Sequence, residues 1–170
     1  MSWSAVTGAT SYQIHRSSNG STFAQVGTSA TTAFNDSTAA ANTAYLYKVC
    51  AVNGSAGPFG PNDVATTVIF TDDPLSAGTI TKGVHMTQLR TAVTAMRTLA
   101  ALSVPTYTDP TITTAIPLKA AHVTELRANL TAARTALSLP ALPSFTDPTL
   151  TAGVTAPKAV HLTELRNGVK

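Results

Sequence analysis

The chain has two different patterns of apolar residues. In the first half, apolar and polar residues alternate with a period of two, as in β-strands. In TAYLYKVCAVN, residues 43–53, Tyr45 and Tyr47 alternate with Leu46 and Lys48. Further strands are predicted at residues 11–17, 21–28 and 63–70, with a turn-rich loop at 54–62. The pair Asn19-Gly20 between the first two strands is a strong hairpin signal. Short strands separated by such turns favour a β-sandwich.

After residue 70 the apolar residues recur every three to four positions, which is typical of amphipathic helices. The middle of three such stretches contains Val123, Leu126 and Leu130. The other two place apolar residues at matching positions, which are Met86, Leu89, Val93 and Met96, and then Leu162, Leu165 and Val169. The sequence therefore predicts three helices, and the third is the shortest.

Each predicted helix begins with a version of one phrase: KGVHMTQLR, KAAHVTELR and KAVHLTELR. A polar stretch that starts with an aromatic residue, threonine and aspartate precedes each phrase, and we expect the aromatics Phe70, Tyr107 and Phe145 to fill gaps between helices. The recurrence of the phrase, each time after a similar polar stretch, indicates a helical repeat array. We therefore divide the chain into a β domain at 1–69 and a helical repeat domain at 70–170. The repeats span about 70–105, 106–143 and 144–170.

Four stretches of the first half resemble a fibronectin type III domain: Trp3 in SWSAV, then GATSYQIHRS, TAYLYKVCAVN and NGSAGPFGP. The resemblance implies that Trp3 lies on the second strand of a sandwich, Tyr12 on the third, and Tyr45 at the tyrosine corner. Residues for the strand before the tryptophan are missing. The predicted fold class is therefore mixed β then α, with a fibronectin type III-like β-sandwich lacking its first strand, followed by a small three-helix repeat array.

The helical phrase resembles C-terminal regions of bacterial surface proteins that also carry fibronectin-like domains. That resemblance implies an extracellular, cell-surface setting. The composition is compatible with it, because charged residues make up only 11% of the chain and the net charge is +3. No cluster of Lys and Arg indicates nucleic-acid binding. Arg90 and Arg97 interrupt the most apolar stretch, so we expect no membrane span, and the single Cys50 excludes an internal disulfide.

The repeated histidines, His85, His122 and His161, are the candidates for chemistry. A metal site would combine such a histidine with a glutamate three residues on and an aspartate from the preceding loop, but the first repeat has Gln88 in place of glutamate. The structural interpretation is that each histidine binds the Thr-Asp-Pro aspartate, while the following arginine reaches a carboxylate of a neighbouring repeat. We favour this second interpretation.

No motif of a nucleophilic or phosphate-binding enzyme occurs, and the Thr-Asp-Pro aspartates lack a second acid for general acid–base work. We therefore assign no catalytic, cofactor-binding or metal-binding residue and expect a protein that is not an enzyme. An aspartate-lined catalytic cleft and a three-histidine metal enzyme remain weaker alternatives.

Both ends of the predicted fold are incomplete, because the sandwich lacks an edge strand and the third helix is short. Either end offers a surface that another chain can cover. We expect a structural or adhesion module that binds copies of itself head to tail, by strand or helix complementation, or binds another surface protein. The alternatives are an excerpt of a longer chain, and a carbohydrate- or protein-binding accessory module of a larger secreted enzyme.

Overall fold

The computed structural model describes residues 1–76, 78–113 and 116–170. Within them, an open antiparallel sheet of five strands precedes three helices, so the prediction of β followed by α is confirmed. The strands are β1 (Ser11–Ser17), β2 (Ala24–Ser29), β3 (Ala44–Asn53), β4 (Ser55–Phe59) and β5 (Asp63–Thr66). The helices are α1 (Gly83–Leu99), α2 (Ala120–Ala136) and α3 (Ala159–Gly168).

Strand β3 is the centre of the sheet, which has the order β2-β1-β3-β4. Because β3 is long, its first half pairs with β5 and its second half with β4. The predicted turn joins β1 to β2: Asn19 accepts hydrogen bonds from the backbone N–H groups of Ser21 and Thr22 at 3.1 and 2.8 Å. Gly20 follows with a φ of 77°, a conformation that favours glycine.

Two sequence-based expectations about the end of the sheet are wrong. Residues 54–62, expected to be a loop, contain strand β4, which pairs with β3 past a bulge between Cys50 and Val52. An edge strand tolerates Pro58, because the N–H group that proline lacks is not needed for the ladder. The strand expected at 63–70 ends at Thr66 instead, since Val68 and Phe70 turn away to pack against the helices.

Different parts of the chain pack against the two faces of the sheet. Ala44, Leu46 and Val64 pack into one apolar core with the helices. On the opposite face, Ile14 forms a second cluster with Tyr45 and Tyr47, against which Trp3, Val26 and Phe34 are packed. The sheet therefore lies between the helices and a thin layer made by the N-terminal segment and the residues that follow β2.

The predicted apolar faces of the helices form the main core. All ten residues of the three stripes have no exposed surface: Met86, Leu89, Val93, Met96, Val123, Leu126, Leu130, Leu162, Leu165 and Val169. The short third helix was expected to leave its stripe open to a neighbour, and this expectation is wrong, because the other two helices cover it.

Candidate functional site

Each buried histidine links the first turn of its helix to the loop before it. We call this set of contacts a clasp. In the second repeat, the backbone N–H of Lys119 donates to Nδ1 of His122 at 3.2 Å, and Nε2 lies 3.0 Å from Oδ2 of Asp109. An Nδ1 that accepts a hydrogen bond leaves the proton on Nε2, so the contacts fit a neutral ring that donates to the carboxylate. The sequence-based prediction that the histidine binds the loop aspartate is confirmed.

The other two repeats reproduce these distances. His85 Nδ1 accepts from Lys82 at 3.2 Å, and its Nε2 lies 3.1 Å from Asp72. In the third repeat, His161 takes the same position between Lys158 and Asp147, at 3.2 and 3.0 Å. All three rings are buried, with no exposed surface. Three copies of one geometry in one chain indicate an architectural element.

The clasp satisfies backbone groups that a helix leaves unpaired at its N-terminus. The third helical residue normally used for this purpose is Glu or Gln, whose side chain reaches back to the N-cap N–H. Here His122 has that role, and the N-cap residue Lys119 has an extended backbone with φ −108° and ψ 155°. The Lys119 side chain also lies 2.6 Å from Asp109. This lysine, and then the histidine, lower the pKa of the Asp109 carboxyl group below its usual value.

A second contact fixes the same loop from the helix side. Glu125 accepts a hydrogen bond from the backbone N–H of Thr108 at 3.0 Å, and Glu164 accepts one from Thr146 at 2.7 Å. Gln88 retains this contact in the first repeat, where the N–H of Thr71 donates to its amide oxygen at 2.9 Å. An amide can therefore replace the carboxylate, which accounts for glutamine in that copy.

Each arginine of the phrase joins its repeat to the next Thr-Asp loop. Arg90 donates to the carbonyl oxygens of Thr108 and Asp109 at 2.7 and 2.8 Å, and its guanidinium lies 4.5 Å from the centre of the Tyr107 ring. Arg127 makes the same contacts to the third repeat, with Thr146 at 2.7 Å and Asp147 at 2.8 Å. The expected partner was a carboxylate; the backbone carbonyls are the main partners, although Arg127 also reaches Glu164 at 3.3 Å.

The third arginine closes the series. Arg166 donates to the carbonyls of Thr71 and Asp72 at 2.8 and 2.9 Å, and its guanidinium lies 4.8 Å from the Phe70 ring centre. The junctions therefore run from repeat 1 to 2, from 2 to 3, and from 3 back to 1. Equivalent contacts in cyclic order relate the repeats by an approximate threefold rotation. The three helices of the predicted repeat array therefore form a closed ring.

The polar groups of these clasps are committed to one another. Each histidine binds the aspartate of its own repeat, and a ring without exposed surface is closed to substrate. Within the described residues, no three His, Cys, Asp or Glu side chains are grouped so as to hold a metal ion. The histidines and aspartates of the repeats therefore make structural contacts.

A cavity lined by several aromatic residues lies elsewhere, on the sheet face opposite the helices. This open groove has a volume of 510 Å³, and its lining includes Trp3, Tyr12, Tyr47, Val49 and Phe59. Trp3 and Tyr12 meet edge to face with ring centres 5.3 Å apart. The ring of Phe59 turns to the opposite face of the sheet, where its centre lies 4.7 Å from that of His15 and 4.2 Å from Nζ of Lys48. Sequence analysis missed Phe59 because its stretch resembled a loop. The alternation along β3 did place Val49 on the face of Tyr45 and Tyr47.

One wall of the open groove is a bare backbone edge near the N-terminus, where Ser2 and Ala33 form an isolated β-bridge. Residues 1–3 pair with residues 32–34 through hydrogen bonds from Trp3 N–H to Thr32 at 3.0 Å and from Phe34 N–H to Met1 at 3.1 Å. In antiparallel pairing the residue between two bonded ones directs its N–H and C=O away from the partner. Accordingly, the backbone groups of Ser2 and Ser4 make no hydrogen bond to any other described part of the chain.

Comparisons with protein-family models, with curated proteins and with solved structures found no match. No helix among the described residues is both long and apolar enough to cross a membrane.

Proposed function

We propose that the chain is a non-catalytic structural or adhesion module of a bacterial cell surface that joins copies of itself head to tail through strand complementation. The observation that carries the proposal is the open groove beside the bare edge of Ser2 and Ser4. Exposed strand edges are normally paired or covered, because they pair readily with other chains. Because the helices cover one another in a closed ring, we propose that copies join by strand complementation and not by helix complementation.

Two contacts support the finer assignment of a fibronectin type III-like sandwich. The hydroxyl of Tyr45 accepts a hydrogen bond from the backbone N–H of Ala40 at 3.1 Å, the contact of a tyrosine corner. Trp3 covers the sheet face that the second layer of a sandwich would cover. The extracellular setting is supported by the resemblance to surface proteins and by the low charge content.

The arrangement of the polar residues supports a role without catalysis. Catalysis requires an acid or base within reach of a substrate atom. The three buried imidazoles face the partly exposed loop aspartates, and each aspartate binds a lysine of its own repeat.

Negative-stain electron microscopy and light scattering of the purified chain test the proposal. We expect elongated particles whose mean length increases with protein concentration. A well-folded protein that stays monomeric at the highest concentration reached would contradict self-assembly. Val49→Asp, in the groove, should shorten the particles, whereas Val104→Asp, at a residue that is 72% exposed and outside the groove, should leave them unchanged.

A carbohydrate-binding module is the second candidate, and the aromatic lining of the open groove favours it. Aromatic rings combine an apolar face with polar groups at the edge, which suits sugar rings. A glycan array separates the two functions. Binding that Trp3→Ala abolishes, in a protein that remains monomeric, would support the carbohydrate function.

A further inference from the structure

Three Asn-Gly dipeptides occur in the chain, at residues 19–20, 53–54 and 167–168, and their environments differ. Asparagine followed by glycine is especially prone to spontaneous deamidation, because glycine has no side chain to shield its backbone nitrogen. That nitrogen attacks the side-chain carbonyl carbon of the asparagine, so the reaction requires a free asparagine amide and a backbone N–H outside any regular ladder. The structure therefore indicates which of the three dipeptides can react in the folded protein.

The first dipeptide is held in place by hydrogen bonds. Oδ1 of Asn19 accepts from the Ser17 hydroxyl at 3.0 Å and from the backbone N–H of Thr22 at 2.8 Å. Gly20 rests on the helices, since a Cβ atom added there would lie 2.7 Å from the carbonyl oxygen of Leu99. Both reacting groups are thus fixed, and the side chain must break these hydrogen bonds before its carbonyl carbon can approach the glycine nitrogen.

The third dipeptide lies in α3. A helix fixes the backbone of Asn167 and bonds the N–H of the glycine that follows to a carbonyl of the preceding turn. Gly168 is also packed in: its carbonyl accepts a hydrogen bond from Arg134 at 2.7 Å, and an added Cβ atom would lie 2.8 Å from Leu130. Ring closure at Asn167 therefore requires the end of α3 to unfold.

Asn53 lacks these restraints. It is exposed at the end of β3, where the chain turns into β4. Its side chain and the N–H of Gly54 make no hydrogen bond to any described residue. Gly54 has a φ of 71°, and an added Cβ atom would meet nothing within 4 Å. Both reacting groups of this dipeptide are therefore free to approach each other and are open to water.

We propose that Asn53 is a site of spontaneous deamidation in the folded protein, whereas Asn19 and Asn167 are protected. The backbone nitrogen of Gly54 forms a bond to Cγ of Asn53 and loses its proton, and the side-chain amide takes up a proton and leaves as ammonia, which gives a cyclic succinimide. The hydroxyl of a water molecule then bonds to one ring carbonyl carbon while its proton returns to the ring nitrogen, which leaves aspartate or isoaspartate. The reaction needs only water and does not depend on the proposed self-assembly.

Both products alter the hairpin of β3 and β4. Each adds a carboxylate, which lowers the net charge of +3 by one. Isoaspartate also routes the backbone through the side-chain carbon, so the turn gains one backbone atom where β3 passes into β4. Strand β4 resists this change weakly, because all of its residues are exposed and its pairing with β3 already contains a bulge. We therefore expect isoaspartate to loosen this edge strand.

Ageing of the intact, folded chain at mildly alkaline pH tests the proposal. Cleavage by trypsin after Arg16, Lys48 and Arg166 places the three asparagines on separate peptides, and fragmentation mass spectrometry locates the modified residue. We expect Asn53 to convert at least about tenfold faster than the other two, since local opening must precede their reaction. In urea that unfolds the chain, the three rates should become similar. If another of the three reacts as fast as Asn53 in the folded chain, or if Asn53 reacts only in urea, the proposal is overturned.

Asn53→Gln provides a matched control, because glutamine keeps the amide but closes its larger ring far more slowly. An isoaspartyl methyltransferase, which labels isoaspartate but not aspartate, should label the aged parent chain and leave the aged variant unlabelled. Circular dichroism establishes that the variant folds. Equal labelling of the two chains would place isoaspartate at another residue and contradict the assignment.

Hydrogen exchange tests the effect on β4. Backbone amides of residues 55–59 should exchange faster in the isoaspartate fraction of the aged chain than in the fresh chain. Unchanged exchange at these residues would show that the modification leaves β4 in place.

Discussion

Arg166, in the last helix, donates a hydrogen bond to the backbone carbonyl of Thr71, which lies 95 residues earlier at the start of the first repeat. This contact closes the helical ring and also ties the third repeat to the segment that leaves the sheet. A second cation reinforces it, because Lys170 lies 2.9 Å from the carboxylate of Asp73. The ring therefore depends on residues that are very distant in sequence.

Arg166→Met should lower the free energy of unfolding by roughly 2–4 kcal/mol, because two carbonyls lose a charged donor in a place that is closed to water. The side chain is 1% exposed, so water cannot replace it. Urea unfolding measures the loss. Arg97→Met serves as control, since Arg97 binds the carbonyl of Ser103 near the surface, and its loss should stay within about 1 kcal/mol. Equal losses of unfolding free energy in the two variants would show that ring closure stabilises the fold no more than the surface contact of Arg97.

The clasp predicts a graded effect of substitutions at His122. Glutamine can accept the hydrogen bond from the N-cap N–H of Lys119 but lacks the ring that reaches Asp109, whereas alanine loses both contacts. We expect His122→Ala to cost roughly 2–3 kcal/mol and His122→Gln about half as much. Thermal and urea unfolding measure both. If glutamine is as damaging as alanine, the histidine does not act as a helix cap.

The sequence predicted these clasps well but not the ring. A histidine and an aspartate within one repeat are close in the chain, so their contact follows from local geometry. Closure requires Arg166 to meet Thr71, and a period in the sequence is compatible with both an open stack and a closed ring. Which one forms depends on the rotation from one helix to the next, which packing decides. Strand β4 was missed for a similar reason: pairing with β3 overrides the weak strand propensity of glycine and proline.

Acid should weaken the clasps through their aspartates. Hydrogen bonds from Lys119 and then from His122 lower the folded-state pKa of Asp109 below the unfolded value, which is about 3.9. Its stabilising contribution is therefore fully present above the unfolded pKa and is lost as the pH falls through the lower, folded-state pKa. Asp72 and Asp147 respond in the same direction, for the same causes.

Asp109→Asn tests this dependence, because asparagine tolerates the φ of 50° at this position but cannot titrate. Urea unfolding of the variant should show a smaller loss of stability between about pH 6 and pH 2 than the parent chain shows. Lys119→Met, which removes the first of the two causes and leaves the histidine, should give an intermediate pH dependence. A parent-like slope in Asp109→Asn would mean that this carboxylate is not linked to folding.

The contact between the sheet and the helices can be tested at a glycine. A Cβ atom added at Gly20 would lie 2.7 Å from the carbonyl oxygen of Leu99 and 3.1 Å from Leu137, so the β1–β2 turn rests directly on the ends of α1 and α2. Gly54 is a matched position: its φ of 71° is close to the 77° of Gly20, and an added Cβ would have no neighbour within 4 Å.

Alanine at either site bears the cost of a left-handed backbone, about 1–2 kcal/mol. Only Gly20→Ala also forces the turn off the helices, which should add roughly 1–3 kcal/mol. The difference between the two variants in urea unfolding therefore measures the sheet–helix contact alone, and equal losses would mean that the turn and the helix ends do not support each other.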